Sequence, residues 1–115
     1  MQSDGVSMGR EETHEEITRV TDLVEYQEGA IVSRTILDKA TGSVTLFAFD
    51  KGQKLTEHTS PYDAVVQILD GKARLTIGGK QKEVSQGQII IMPANVPHAV
   101  DASERFKMLL TMIRA

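Results

Sequence analysis

The sequence predicts a single all-β domain, and three observations lead to that prediction. Short apolar runs recur from residue 30 onward and are separated by Gly, Pro or Asp-Lys. Gly78-Gly79 stands between two of these runs, and a two-residue Gly-Gly connection indicates a hairpin because both of its positions need a positive φ. No segment has the length and periodicity of the helices that connect parallel strands. The pattern therefore favours a β-sandwich or a β-barrel.

The apolar runs define the individual strands. Residues 72–77 alternate apolar and polar side chains, as expected of a strand with one buried face. Residues 89–92 are apolar throughout, which predicts burial on both faces. The predicted strands are residues 31–37, 43–49, 53–58, 64–69, 72–77, 80–84, 89–92, 98–100 and 106–113.

The first residues of the chain differ in character from the rest. Residues 1–12 are polar, contain glycine and have no apolar rhythm, so we expect a flexible tail there and a single domain over residues 13–115. Thr13 and Glu16 have the spacing of a capping box, and apolar residues follow at helical intervals. Two alternatives remain open: one or two helical turns, or an irregular segment that covers one end of the core.

Composition and charge exclude several classes of protein. The chain has 115 residues, of which 40% are hydrophobic and 25% charged, as expected of one domain with one core. Its 13 Lys and Arg residues are scattered and are outnumbered by 16 Asp and Glu residues, so no nucleic-acid partner is predicted. The absence of cysteine excludes disulfides and thiolate zinc sites. Because no secretory signal or membrane-spanning run is found, we expect a cytoplasmic protein with no membrane partner.

Two groups of residues carry a family resemblance. Gly52, His58 and Gly71 resemble the first signature of the cupin superfamily, G-x5-H-x-H-x3–4-E-x6-G. Ser60 stands where that signature has its second histidine, and Ala64 stands where it has glutamate.

The second group follows after a short gap. Gly87, Pro93 and His98 are similar to the second cupin signature, G-x5-P-x-G-x2-H-x3-N, with Asn95 in the place of its inner glycine and Ala102 in the place of its final asparagine. Asparagine is one of the few residues that accept the left-handed conformation of such a turn. The resemblance covers residues 52–102 and implies a cupin jelly-roll β-barrel, or double-stranded β-helix, with a short N-terminal extension.

The same resemblance implies a degenerate metal site. In complete cupins three histidines and a glutamate bind one divalent ion inside the barrel. Only His58 and His98 remain here, and two imidazoles alone make a weak site. A barrel without a metal is therefore favoured over one in which this pair holds Zn, Ni, Fe or Mn. Gln67 would complete the set only if a bulge turned it inward, because an inward Ala64 places Gln67 on the opposite face.

Two functions remain open. The first is a cupin of unknown function that binds a small molecule in a largely apolar barrel without a full metal site. Its candidate polar contacts are His58, Ser60, Gln67, Asn95 and His98. The second is a metal-dependent enzyme, similar to a dioxygenase or an isomerase, with His58 and His98 as ligands. No catalytic residue is assigned, because the cupin fold does not determine a reaction.

A second copy of the chain is the predicted protein partner. Cupins of this size usually pair by packing their sheets, and the apolar runs at residues 31–37 and 89–92 fit a buried contact between sheets. We therefore expect a homodimer.

Overall fold

The computed structural model describes residues 16–114, so the predicted tail over residues 1–12 lies outside the described residues. Within that range a 3-10 helix, Val20–Leu23, precedes eight strands. No helix in residues 16–114 is long and apolar enough to cross a membrane. The strands are β1 (Ile31–Lys39), β2 (Gly42–Phe49), β3 (Lys54–His58), β4 (Asp63–Ile77), β5 (Lys80–Ser85), β6 (Ile89–Met92), β7 (His98–Asp101) and β8 (Phe106–Ile113).

The strands form two antiparallel sheets that share β4. The first sheet has the order β1-β2-β8-β4-β6, and the second has the order β3-β7-β4-β5. The hairpin predicted at Gly78-Gly79 is confirmed, because these residues connect β4 to β5 with φ angles of 57° and 80°. The predicted all-β barrel is confirmed as well.

The sequence predicted two strands, residues 64–69 and 72–77, where the structure has the single strand β4. Its register against β8 shifts between Ile68 and Asp70, and Gly71 follows with a φ of 74°. The irregularity bends the strand from one sheet to the other without ending it, as β-bulges do. A Cβ atom at position 71 would overlap the Arg105 carbonyl oxygen, so this crossing requires glycine.

The barrel interior is filled by alternate residues of both sheets. Ala64, Val66 and Ile68 of β4 are buried and face inward. The rings of Phe49 and Phe106 stack with centroids 4.6 Å apart. Leu75, Val84 and Val100 continue the same core on the second sheet. This packing leaves one end of the barrel to be closed by the polar residues described below.

The residues before β1 cover part of the outer face of the first sheet. Val24 is buried against Leu46 and Ala48, and Tyr26 packs beside it. The Tyr26 hydroxyl donates a hydrogen bond of 2.6 Å to Asp70, and Lys107 donates one of 2.7 Å to the Thr21 carbonyl. Of the two alternatives for this segment, the described part is an irregular cover that contains one 3-10 turn.

The prediction that residues 89–92 are buried on both faces is wrong within the described chain. Ile90 and Met92 pack on the core, but Ile89 and Ile91 are 61% and 59% exposed. The reason is that β6 is an edge strand of the first sheet, and nothing in residues 16–114 packs on its outer side.

An ion pair holds the end of the barrel where β2 ends and β8 begins. Arg105 Nε donates a hydrogen bond of 2.9 Å to the Asp50 carboxylate, and the Gly29 backbone N–H donates one of 2.7 Å. The Arg105 contact, with the Gly29 N–H, lowers the pKa of Asp50 to about 2. The ionised carboxylate therefore connects the segment before β1 to the loop before β8.

Replacement of this carboxylate should change how stability depends on pH. The pKa of Asp50 is lower in the folded chain than the value of about 3.9 expected in the unfolded chain. The contribution of the ionised carboxylate to the free energy of unfolding is therefore complete above about pH 4 and is lost as the pH falls towards 2. Asp50→Asn should lower the urea concentration at the unfolding midpoint at pH 7. It should also reduce the fall of that midpoint below pH 4. Asp101→Asn, at an exposed position of β7, is the control, and equal effects of the two variants would contradict the prediction.

The crossing at Gly71 gives a second prediction. Gly29 has a similar φ of 69°, but a Cβ atom there meets nothing within 4 Å. Gly29→Ala should therefore lower the free energy of unfolding by about 1–2 kcal/mol, the cost of a left-handed residue. Gly71→Ala adds overlap with backbone and should cost roughly 1–3 kcal/mol more, or prevent folding. Chemical unfolding of both variants measures the difference, and similar values would show that the crossing tolerates a Cβ atom.

Candidate functional site

Two histidines from neighbouring strands face each other at one end of the barrel. His58 ends β3 and His98 begins β7, and the two are register partners in the second sheet. Their Nε2 atoms are 3.1 Å apart, and the ring centroids are separated by 4.3 Å with planes inclined at 70°. His98 is buried, with 7% of its surface exposed, whereas His58 is exposed. The structure therefore brings together the two candidate metal ligands.

The backbone determines which nitrogen of each ring carries hydrogen. His58 Nδ1 lies 2.8 Å from the Thr56 carbonyl oxygen, and His98 Nδ1 lies 3.2 Å from the Val96 carbonyl oxygen. A carbonyl oxygen only accepts hydrogen bonds, so both Nδ1 atoms are the donors. In neutral rings both Nε2 atoms then carry lone pairs, and these are brought together at 3.1 Å. Such an arrangement is favourable only when a positive charge, either a shared proton or a metal ion, lies between them.

Two loops hold the histidines in place. The backbone N–H of Asn95 donates a hydrogen bond of 2.7 Å to the Ser60 carbonyl, and the N–H of Ala94 donates one of 2.8 Å to Asp63 Oδ1. Asn95 has a φ of 65°, so the left-handed turn expected from the sequence is present. These bonds join residues 93–97, which lead into β7, to residues 59–63, which follow β3 and begin β4.

The other candidate contacts lie in different places. Ser60 is half-buried in the loop, and its hydroxyl accepts a hydrogen bond of 3.3 Å from the Tyr62 N–H. Asn95 is exposed on the opposing turn. Gln67 is exposed on the outer face of the first sheet, because the register shift in β4 comes after it, at Ile68 to Asp70. Gln67 is thus not brought to the histidine pair.

Asp63 and two backbone carbonyls contribute to the site without having been identified from the sequence. Asp63 lies one position away from the ligand positions of the cupin signature, and its role is to join the two loops. An aspartate next to a turn was the available signal. The carbonyls of Thr56 and Val96 leave no signal in a sequence, because their direction depends on the backbone alone.

The inner wall of the first sheet at this end of the barrel is apolar. Ala64 is the register partner of both Met92 and Met112, and Ala64 and Met92 are buried. In residues 16–114 no group of three or more His, Asp or Glu side chains is close enough to hold a metal ion. Among the described residues, the two imidazoles are therefore the side chains of this end that are placed to share an ion.

A separate cavity of about 700 Å³ opens near Tyr26, Asp50, Asp70 and Arg105. It lies towards the start of β3 and the end of β7, away from the histidines. Four of its polar side chains form two pairs, since Tyr26 bonds to Asp70 and Arg105 bonds to Asp50. The Arg105 guanidinium also lies 4.8 Å from the centre of the Tyr26 ring. The cavity therefore lies where the segment before β1 is attached to the barrel.

The chain belongs to the cupin family, since residues 45–113 match the family model described as Cupin domain. Among solved structures, a conserved protein of unknown function from Streptococcus pyogenes is 39% identical, with 89% of this chain and 90% of that chain covered and a TM-score of 0.85. A cupin 2 conserved barrel domain protein from Leptotrichia buccalis is 42% identical over 82% of this chain and 46% of that chain, with a TM-score of 0.80.

A curated relative is an uncharacterised protein of Streptomyces coelicolor, 32% identical over 56 residues. The matched region spans 49% of this chain and 53% of that protein, so this chain spans about half the length of the curated relative that it matches. These similarities establish the family and the fold.

Proposed function

We propose that this cupin holds one divalent metal ion between His58 and His98 and binds a small ligand at the remaining positions of that ion. The observation that carries the proposal is the approach of the two Nε2 atoms to 3.1 Å while both Nδ1 atoms donate to backbone carbonyls. Metal-binding histidines usually have this second hydrogen bond, which orients the ring. Imidazole nitrogens bind Zn²⁺ at about 2.0–2.1 Å, so one ion can contact both rings.

The donor set favours some ions over others. Imidazole suits Zn, Ni and Fe, whereas Mn prefers carboxylates, and no Asp or Glu of residues 16–114 forms a group of three with the two histidines. Two protein donors leave several coordination positions for water and ligand, and a bound ion would polarise an oxygen of that ligand. Ala64, Met92 and Met112 belong to the apolar inner wall of the first sheet, which suits a ligand with an apolar body and an oxygen or nitrogen donor.

A second candidate function is the binding of a small organic anion without any metal. Ser60 and Ala64 replace two of the four ligands expected in a complete cupin, which supports this alternative. A proton shared by the two Nε2 atoms would relieve their repulsion and give the pair a positive charge. The two candidates differ in what occupies the space between the rings, and this difference can be measured.

Metal titration of histidine variants tests the proposal. Untagged protein, freed of metal with a chelator, should bind about one Co²⁺ or Zn²⁺ per chain in calorimetry or in Co²⁺ absorption. His58→Ala and His98→Ala should each weaken binding by at least about tenfold. His14→Ala is the matched control, because the chain has three histidines and His14 is not one of the two proposed ligands. Histidine ¹⁵N spectra should show both rings as Nδ1–H tautomers, with the Nε2 signals shifted by metal.

Other results would reject the metal. If His14→Ala abolished metal binding, or if both site variants retained it, the ion would lie elsewhere. A protein that binds no ion, but whose Nε2 signals respond to small carboxylates, would support the second candidate instead.

Introduction of the cupin-signature glutamate at position 64 should strengthen the proposed metal site. Ala64 faces the interior at the end of the barrel that holds the two histidines, and a carboxylate there would supply a third donor. Ala64→Glu should raise Zn²⁺ affinity by roughly tenfold or more, since even outer-shell partners of a metal contribute about 10- to 100-fold. Ala64→Gln has the same size without the charge and serves as the control. Equal affinities of the two variants in a chelator competition assay would contradict the placement of the ion.

A further inference from the structure

A row of side chains on the inner face of the second sheet leads from the histidine pair to the edge strand β5. His58 is in register with His98, and His98 is in register with Ile77 of β4. Ile77 is in turn the register partner of Lys80 of β5. Residues in register on neighbouring strands project from the same face of a sheet, and this face is the inner one, because His98 is buried and Ile77 packs on the core. The row therefore ends in a lysine on the inner side of β5.

Lys80 lies at the same end of the barrel as the histidines. It follows the Gly78-Gly79 turn, and the Gly78 N–H donates a hydrogen bond of 2.8 Å to the carbonyl of Pro97, the residue before His98. The backbone of Lys80 is two strands away from that of His98, which corresponds to roughly 10 Å at the usual spacing of strands. The flexible four-carbon stem of lysine allows its ammonium group to shorten this distance. One elongated small molecule can therefore contact a histidine and this lysine together.

A second lysine lies on the same face of β5. Lys82 is the register partner of Leu75, which is buried in the core, so its side chain also starts on the inner face. Both lysines are exposed, and β5 is an edge strand that pairs with β4. The inner face of β5 thus has two ammonium groups next to solvent, one in the row of the histidines and one two residues further along the strand.

The charged side chains of β4 and β5 differ between the two faces of the second sheet. On the outer face, Lys72 and Arg74 lie 3.8 Å and 3.7 Å from the carboxylate oxygens of Glu83. Among the salt bridges of residues 16–114, none involves Lys80 or Lys82. A lysine ammonium has three hydrogen-bond donors and a full positive charge. The two inner lysines are therefore suited to bind an anion supplied from solution.

We propose that Lys80, together with Lys82, binds an anionic group at one end of a ligand whose other end is held at the histidine pair. This inference rests on the proposed function, because it requires a ligand at the histidines. A metal ion or a shared proton between the rings attracts a carboxylate oxygen, and Ile77 offers apolar surface between the two ends. The ligand class is accordingly a dicarboxylate whose acidic groups are joined by a short apolar chain.

Two acids of equal length test this assignment. Adipate and hexanoate have carbon chains of the same length, but adipate has a carboxylate at both ends, and each acid is titrated into the full chain with and without Zn²⁺. Adipate should bind at least about fivefold more tightly, since charge-assisted hydrogen bonds are the stronger ones. Lys80→Gln should remove most of this preference, and Lys80→Arg should keep it. Lys54→Gln is the control, because it removes the same charge from an exposed position on the outer face of β3.

Calorimetry measures the affinities, and the histidine Nε2 signals report whether each acid reaches the pair. Equal affinities of the two acids, both lost in His58→Ala, would overturn this inference and leave the proposed function intact. If neither acid bound, with or without Zn²⁺, the ligand site of the proposed function and this inference would both be overturned.

Two further results would overturn the role of the lysines. If Lys80→Gln and Lys54→Gln reduced the adipate preference equally, the effect would come from net charge and not from a contact. Inward charges on an edge strand also prevent its pairing with other chains. A loss of solubility in Lys80→Gln with an unchanged preference for adipate would therefore assign Lys80 to protection of β5.

Discussion

The passage of β4 through both sheets is the constraint on which the rest of the structure depends. This strand pairs with β8 and β6 in its first half and with β7 and β5 in its second half, so it sets the relative position of the two sheets. The change of sheet occurs at Gly71, where the Arg105 carbonyl leaves no space for a side chain. The same place anchors the segment before β1 through Tyr26 and Asp70. The crossing of β4 thus determines both the geometry of the barrel and the attachment of the segment that covers its outer face.

The histidine pair depends on this frame in an indirect way. His58 and His98 lie on β3 and β7, and β7 is positioned by β4. The turn at Asn95 and the carboxylate of Asp63 then join the two loops at that end of the barrel. Backbone carbonyls orient both rings, so the chemical character of the site comes from the main chain as much as from the side chains. The two rings can therefore be well oriented with few side-chain contacts.

The outer face of the first sheet has a covered part and an exposed part. Part of the face is covered by Leu23, Val24 and Tyr26, and beyond this cover Leu37, Ile89 and Ile91 are exposed within residues 16–114. An edge strand with exposed isoleucines is an aggregation risk unless another surface covers it. The replacement of two cupin ligand positions by Ser60 and Ala64 is a separate feature from the exposed isoleucines, because Ala64 faces the barrel interior whereas Ile89 and Ile91 face outward.

The strands, the Gly78-Gly79 hairpin and the left-handed turn at Asn95 could be predicted from sequence patterns, and the meeting of the two histidines from the cupin resemblance. Alternation, turn residues and motif spacing are local, so the chain itself determines them. The continuity of β4, the exposure of Ile89 and Ile91, and the roles of Asp63 and the two carbonyls could not be predicted. Each depends on which segments become neighbours in space, and a local sequence pattern does not specify those neighbours. The sequence therefore determined which elements form and which chemical groups they carry, whereas only the tertiary structure decided how the imidazoles are oriented and which apolar face is left open.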